Sequence, residues 1–390
     1  MSISVETNCT TLRAARRIEY RVFHPAQPVF DPADRTLAGL ADSRPVLAVF
    51  DRSVAALYHS AWKAYAARHL QLAGELTLAP GESAKNWEQV HNICALAARV
   101  GLPRHGIILG IGGGITLDIA GFAASIFRRG IDYVRIPTTL VGLVDVAVGI
   151  KQGVNAHGKK NLIGSFHPPL ASINDYGFLA TLERREISCG FAEIVKMALL
   201  RDPALLALLE RYGAELLESR FASPVHIARQ VTRRAELLML EELAPNLFEE
   251  NLARLVDFGH TFSPAIEMAS HFEISHGYAV ALDMLLSVAL ASPDLLPRLA
   301  ALFKTLGLPC CDARMPEAAA LSEALAEVRR HRGGSLNLVV IRRPGEPYFL
   351  RAVSHRELAR ALALVSDLAL PVKAEPRGVS AGNDYDRPSL

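Results

Sequence analysis

A chain of 390 residues, half of them hydrophobic and 21% charged, has an ordinary globular composition and is long enough to prefer two domains to one. A formal charge of +2 argues against a nucleic-acid footprint, since the basic pairs Arg16-Arg17, Arg128-Arg129 and Arg329-Arg330 stand isolated. The five cysteines lack metal-type spacing, the opening MSISVETNCTTLRAARR has no apolar h-region, and Asp283 interrupts the apolar run 279–290. The expectation is therefore a reduced, cytoplasmic protein that engages neither nucleic acid nor membrane.

Residues 1–16 read as a flexible lead-in, and 373–390, rich in Gly, Pro, Ser and Asp, as a disordered tail. Over 17–177 short β-branched runs alternate with helical patterns. PVLAVFD is a strand ending at Asp51, followed by the helix SVAALYHSAWKAYAARHL. GELTLAP is a second strand, and the helix over 87–100 puts Ile93, Leu96 and Ala97 on one face. GIILGIGGG is a strand running into glycines, ITLDIAGFAASIF a helix, and DYVRIPTTL a fourth strand. Such alternation predicts a parallel sheet with helices on both faces, and ligands bind beyond the carboxyl ends of its strands.

From 178 to 372 helical patterns dominate, over 184–200, 203–218, 224–240, 261–269, 276–291, 295–306, 317–329 and 355–365. One strand pair, SLNLVVI and PYFLRAV, comes near the end. The predicted fold is an α/β nucleotide-binding N-terminal domain plus a mainly α-helical C-terminal metal-binding domain, with the site in the cleft between them.

Several residues bear on chemistry. Gly112-Gly113-Gly114 opens a helix and suits either a pyrophosphate or a tight turn, with Asp118 in that helix's first turns. Asp51 fits a ribose contact or a helix N-cap equally well. Glu82 and Lys85, taken alone, read as a solvated charge pair. Thr138 and Thr139 offer hydroxyls where a cofactor would lie. The run 145–169 reads as a Gly-rich loop whose Asp145, Lys151, Asn155, Lys159, Lys160 and Asn161 suit a phosphate-bearing ligand. His157 and His167 in that run are either substrate contacts or merely exposed.

The sharpest signal is Glu193 with His260 and His276. A glutamate and two histidines hold a zinc-like ion and leave coordination positions open for substrate oxygens. Lys196 lies one helical turn from Glu193 on the same face.

The order of motifs over roughly 45–345 (GGG…D, RRG, PTTL, D…VG.K..VN…GKKN, GFAEIVK, DFGH, HG.AV) resembles the sugar phosphate cyclase superfamily, whose best-known member is 3-dehydroquinate synthase. The resemblance implies NAD, a divalent Zn2+ or Co2+ ion and a homodimer. It implies NAD contacts at Asp51, Glu82, Lys85, Gly113, Gly114, Asp118, Thr138, Thr139, Lys151, Lys160 and at Phe178 through Thr181, and metal ligation by Glu193, His260 and His276. Asp145, Asn161 and Lys196 would meet the substrate. Arg129 would reach its phosphate, across the dimer in one arrangement.

The departures from dehydroquinate synthase are informative. Asp257 replaces an asparagine ahead of Phe-Gly-His, and Met239 and Asn337 stand where basic residues would hold a substrate carboxylate. Ala253 occupies a third such place, with Arg254 beside it. A buried carboxylate without cationic partners binds poorly, so the substrate is expected to carry none. The pattern is similar instead to the sedoheptulose 7-phosphate cyclases, and among these to the 2-epi-5-epi-valiolone synthases, on Leu243, Asp257 and His331. The segment GGSLNLVVIRRPGE departs from the LPLP-type strand of that group, which keeps 2-epi-valiolone open as product. Demethyl-4-deoxygadusol synthases tend to have Ala and Trp where this chain has Asp257 and Phe262.

The implied reaction oxidises the sugar, eliminates phosphate, returns the hydride and closes a C7 cyclitol. Lys151 and Lys160 with Asn161 would stabilise phosphate and enolate charge, Lys196 would position oxygens near the metal, and Asp257 with His331 would choose the sugar face. The rivals are 3-dehydroquinate synthase with an unusual carboxylate site, a metal-dependent NAD polyol dehydrogenase, and a binding-only relative, which would be expected to have lost a metal ligand.

Overall fold

The computed structural model describes residues 2–6, 9–14, 17–331 and 333–368. The tail expected at 373–390 lies outside the described residues. The lead-in expected at 1–16 carries regular structure where it is described: β1 (Ser2–Glu6) and β2 (Cys9–Arg13) pair as an antiparallel ribbon.

The N-terminal half is built on a six-stranded sheet. Its members in chain order are β3 (Arg21–Phe23), β4 (Pro45–Asp51), β5 (Gln71–Leu78), β6 (Ile107–Gly112), β7 (Asp132–Pro137) and β10 (Ala171–Ile173), and the spatial order is β3-β10-β7-β6-β4-β5. Every pairing is parallel. β6 is buried along its whole length and β4 along all but its ends, as expected of strands covered on both faces. The covering helices include α1 (Thr36–Ala41), α2 (Arg52–His69), α3 (Trp87–Arg99) and α4 (Gly114–Ile126). Trp62 and Tyr65 of α2 fill one face, and Val90, Ile93 and Ala97 of α3 the other. The three-residue strands β3 and β10 are too short to show a period in sequence.

The run read as a loop is instead a hairpin, β8 (Lys151–Ala156) against β9 (Lys159–Phe166). Its glycines explain the difference, because they let two polar strands close on each other. A Cβ on Gly164 would lie 2.2 Å from the Gln152 carbonyl oxygen, and one on Gly153 2.9 Å from that of Ile163.

The second half is helical: α5 (Arg184–Arg201), α6 (Pro203–Glu218), α7 (Val225–Leu243), α8 (Ser263–Ala269), α9 (His276–Ala291), α10 (Leu296–Thr305), α11 (Ala318–His331) and α12 (His355–Asp367). The expected strand pair is β11 (Leu338–Ile341) with β12 (Pro347–Leu350). At the centre α5 and α9 approach closely because the second residue of α9 is a glycine. A Cβ on Gly277 would sit 2.3 Å from the Cys189 carbonyl oxygen and 2.5 Å from its Cα. Glu193 lies one turn beyond Cys189, and His276 adjoins Gly277, so this contact sets the distance between two candidate ligands.

Gly277→Ala is expected to force the two helices apart. The overpacking cost is about 1–3 kcal/mol, read as a lower urea midpoint at unchanged m. Gly39→Ala, inside α1 with nothing within 4 Å of the added carbon, is the control and should leave stability unchanged or raise it by up to about 1 kcal/mol.

Candidate active site

Every residue of α5 from Ile187 to Leu200 is buried, and Glu193 stands in the middle of that run with no exposed surface. Lys196, one turn on, brings its Nζ to 2.5 Å from Glu193 Oε2. Glu193 Oε1 has no hydrogen-bond partner. His260 Nε2 and His276 Nε2 lie 3.6 and 3.5 Å from it, and the three donor atoms all fall within 4.8 Å of one another.

Each histidine is aimed by a partner on its other nitrogen. His260 Nδ1 meets the Phe258 carbonyl oxygen at 3.1 Å. The chain turns into His260 at Gly259, where φ is +75° and a Cβ would press on Met284 and Val280 at 3.0 Å. Just beyond, the Phe262 and Ser263 amides donate to Asp283 Oδ2 at 2.5 and 2.9 Å. Asp283 is buried on α9 and accepts from the Ser287 hydroxyl at 3.1 Å, so it fixes the start of α8 and with it the His260 turn. His276 Nδ1 donates to Glu267 Oε1 at 3.0 Å. Both rings therefore turn Nε2 toward the same carboxylate oxygen.

The charges follow this geometry. Burial pushes the Glu193 carboxyl up, but Lys196 and the two imidazoles outweigh it and hold it well below the usual range. Burial lowers Lys196, and Glu193 with Asp145 more than restores it. Burial and the Lys196 charge push His260 down, so that ring stays neutral. Burial opposes charge on His276 too, but the neighbouring Glu193 and Glu267 carboxylates lift it to about 9. A buried oxygen without a donor, faced by two oriented ring nitrogens, is a donor set suited to a divalent cation with open positions left for substrate.

Beyond Glu267, Lys160 connects to the polar residues of the N-terminal half. Lys85, 6% exposed, sits 2.5 Å from Asp118 Oδ2 and donates to Asn161 Oδ1 at 2.6 Å. Glu82 Oε1 accepts from Asn155 Nδ2 at 2.7 Å and lies 3.7 Å from Lys160 Nζ. Lys160 reaches across to Glu267. Glu82 and Lys85 are thus part of a network, not a solvated pair.

At the glycine turn, Thr139 Oγ1 accepts the Gly142 amide at 3.0 Å. Cβ atoms on Gly113 and Gly114 would press on Thr139 and Val146, each at 3.0 Å. Thr138 is buried, its amide bonded to the Gly112 carbonyl. Asp145 sits in the single turn Gly142–Val146.

Other expected residues make separate contacts. Asp51 caps α2, accepting the Ser53 amide at 2.7 Å. The Phe178 side chain is a core residue packed on Phe30 and Tyr58. Thr181 meets the Tyr58 hydroxyl at 2.9 Å. Arg129 is exposed at positive φ. Leu243 lines an open groove of about 990 Å³ with Tyr20, Arg233 and Leu240, a set that includes none of the three ligands. Lys151 is half exposed and lies 2.8 Å from Glu249. His331 ends α11, and its side chain lies outside the described residues.

Where a substrate carboxylate would have needed cations, Met239 is buried core and Asn337 accepts a bond from Arg351. Arg254 is held by Asp257 at 2.7 and 3.3 Å and by Glu249. Sequence reading missed Glu267, Glu249 and the bracing role of Asp283. The one available signal was an acid inside each of two apolar helical stretches, AIEM and AVALDMLL.

The family model described as 3-dehydroquinate synthase N-terminal matches residues 75–189, and 3-dehydroquinate synthase C-terminal matches 190–327. The chain is 44% identical over 330 residues to a 2-epi-5-epi-valiolone synthase of Streptomyces glaucescens, covering 83% of this chain and 84% of that one. The chain belongs to the 3-dehydroquinate synthase family of sugar phosphate cyclases. Within that family it is 34% identical over 356 residues to a demethyl-4-deoxygadusol synthase of Trichormus variabilis, covering 87% and 86% of the two chains. A solved 2-epi-5-epi-valiolone synthase from Streptomyces hygroscopicus subsp. jinggangensis, with NAD+ and Zn2+ bound, superposes with a TM-score of 0.85 at 39% identity, covering 92% of this chain and 99% of that one. No helix among the described residues is long and apolar enough to cross a membrane.

With His276 protonated below about 9 in the metal-free protein, taking up a cation at pH 7 must expel that proton. Calorimetry in buffers of different ionisation enthalpy is expected to show about one proton released per ion, and affinity rising about tenfold per pH unit toward pH 9. Uptake without proton release would contradict the His276 assignment.

Proposed function

We propose that this cyclase converts sedoheptulose 7-phosphate to 2-epi-5-epi-valiolone with loss of phosphate, using NAD and a Zn2+ or Co2+ ion. The observation that carries the choice of substrate is Arg254. The guanidinium beside one expected carboxylate position is already neutralised by Asp257 and Glu249, in a chain whose other two positions are Met239 and Asn337. A carboxylated heptulose would have to break that pairing or bury its charge unpaired, and either costs several kcal/mol. The greater identity to a 2-epi-5-epi-valiolone synthase than to a demethyl-4-deoxygadusol synthase supports the product assignment.

In this reading Glu193, His260 and His276 hold the ion. When bound, NAD supplies a reversible hydride acceptor and the ion a Lewis acid. Lys196, kept charged by Glu193, orients substrate oxygens beside the ion. Lys85 and Lys160, already poised against Asp118, Glu82 and Glu267, exchange those carboxylates for the ligands' anionic oxygens. Asn161 and Lys151 face the phosphate and enolate charge, and Asp145 meets a substrate hydroxyl. Gly113, Gly114, Asp118, Thr138 and Thr139 line the cofactor, with Asp51 at its ribose and the backbone from Phe178 to Thr181 alongside. Leu243, Asp257 and His331 select the sugar face, and Arg129 serves the phosphate of a neighbouring subunit in a cytoplasmic homodimer.

Incubation with sedoheptulose 7-phosphate, NAD and Co2+ is expected to release phosphate without accumulating NADH, and product NMR to show 2-epi-5-epi-valiolone. The carboxylated 3-deoxy-arabino-heptulosonate 7-phosphate should be processed at least about 100-fold less efficiently. Stoichiometric NADH, or preference for the carboxylated sugar, would overturn the proposal.

A further inference from the structure

Glu267 is 4% exposed, and its two oxygens pair with residues from the two halves of the chain. Oε1 accepts from His276 Nδ1 at 3.0 Å, while Oε2 accepts from Lys160 Nζ. It sits on the short α8, between the turn that carries His260 and the start of α9 that carries His276. Lys160 arrives from the β9 strand of the other half, facing Glu82 at 3.7 Å and the Phe272 ring at 5.9 Å. A single negative charge is therefore shared between a metal-ligand imidazole and a lysine at the cofactor wall.

We infer that Glu267 couples the metal to the cofactor. A carboxylate on the far nitrogen of a ligating imidazole strengthens it as a ligand, and losing such a partner weakens metal binding by about 10- to 100-fold. While Lys160 holds Oε2, part of the Glu267 charge is neutralised. When the cofactor's phosphate oxygens draw the ammonium away, the full charge acts on His276, and the imidazole becomes the better ligand. Linkage makes the effect reciprocal, so a bound ion, by drawing on Glu267 through His276, loosens Lys160 for the cofactor by the same factor. The inference rests on the proposed reading that the triad holds the ion and that Lys160 faces NAD.

The test uses the full chain stripped of metal. Co2+ is titrated by its visible absorption with and without NAD, and NAD binding is measured by equilibrium dialysis with and without Co2+. Wild type is expected to bind Co2+ about fivefold or more tightly with NAD, and NAD tighter with Co2+ by an equal factor. Glu267→Gln, similar in size, should bind Co2+ about 10- to 100-fold more weakly and lose the coupling. Lys160→Met should bind Co2+ at least as tightly as wild type without NAD and also lose the coupling, so the test stands even if the first variant fails to fold. A wild type without coupling, or either variant retaining it in full, overturns the inference. A His276→Ala variant that binds Co2+ as well as wild type shows a different failure, that of the triad reading beneath it.

Discussion

Removing a carboxylate from water is costly unless its charge is answered, and Glu193 is buried completely at the centre of a helix that is itself buried. Lys196 answers one oxygen, and the other has no donor. Around this residue the neighbouring elements are held to narrow tolerances. Gly277 lets α9 press on the α5 backbone, Gly190 leaves room for Leu140, and Asp283 ties down the amides that follow His260. A site that must keep an oxygen unpaired for a cation needs a rigid surround, or the carboxylate would relax toward water or a nearer donor.

Charges of alternating sign run outward from Glu193 across the cleft. Lys196 and His276 flank it, Glu267 follows His276, Lys160 follows Glu267, and Glu82 follows Lys160. A second chain of paired charges runs from Lys151 through Glu249 and Arg254 to Asp257. Each charge stands beside its opposite before any ligand arrives, so anionic ligands exchange partners with the lysines instead of charging a dry crevice. That is preorganisation, and it keeps reorganisation small when charge develops during reaction.

Much of this was legible in the sequence because it rests on local periodicity and residue type. The strands at 45–51 and 107–112 are continuous apolar runs, and the helices at 203–218 and 276–291 were bounded to the residue. The candidate ligand set followed from residue type, a glutamate inside a helix and two histidines at or beside a turn and a helix start. What escaped depends on long-range contact. The hairpin at 151–166 is polar and looks like a loop until its glycines are seen to close two strands, and β3 and β10 are three residues each. Glu267 could not be assigned a partner from sequence, because Lys160 lies 107 residues away. The core packing of Phe178 likewise depends on Phe30 and Tyr58, both distant in sequence.

The most direct measurement is anomalous diffraction at the zinc edge from crystals of the protein grown or soaked with Zn2+ and NAD. The account predicts one strong peak about 2.0–2.2 Å from Glu193 Oε1, His260 Nε2 and His276 Nε2. A fully occupied ion held by other side chains, or no peak at these three residues in crystals that bind zinc elsewhere, would contradict it.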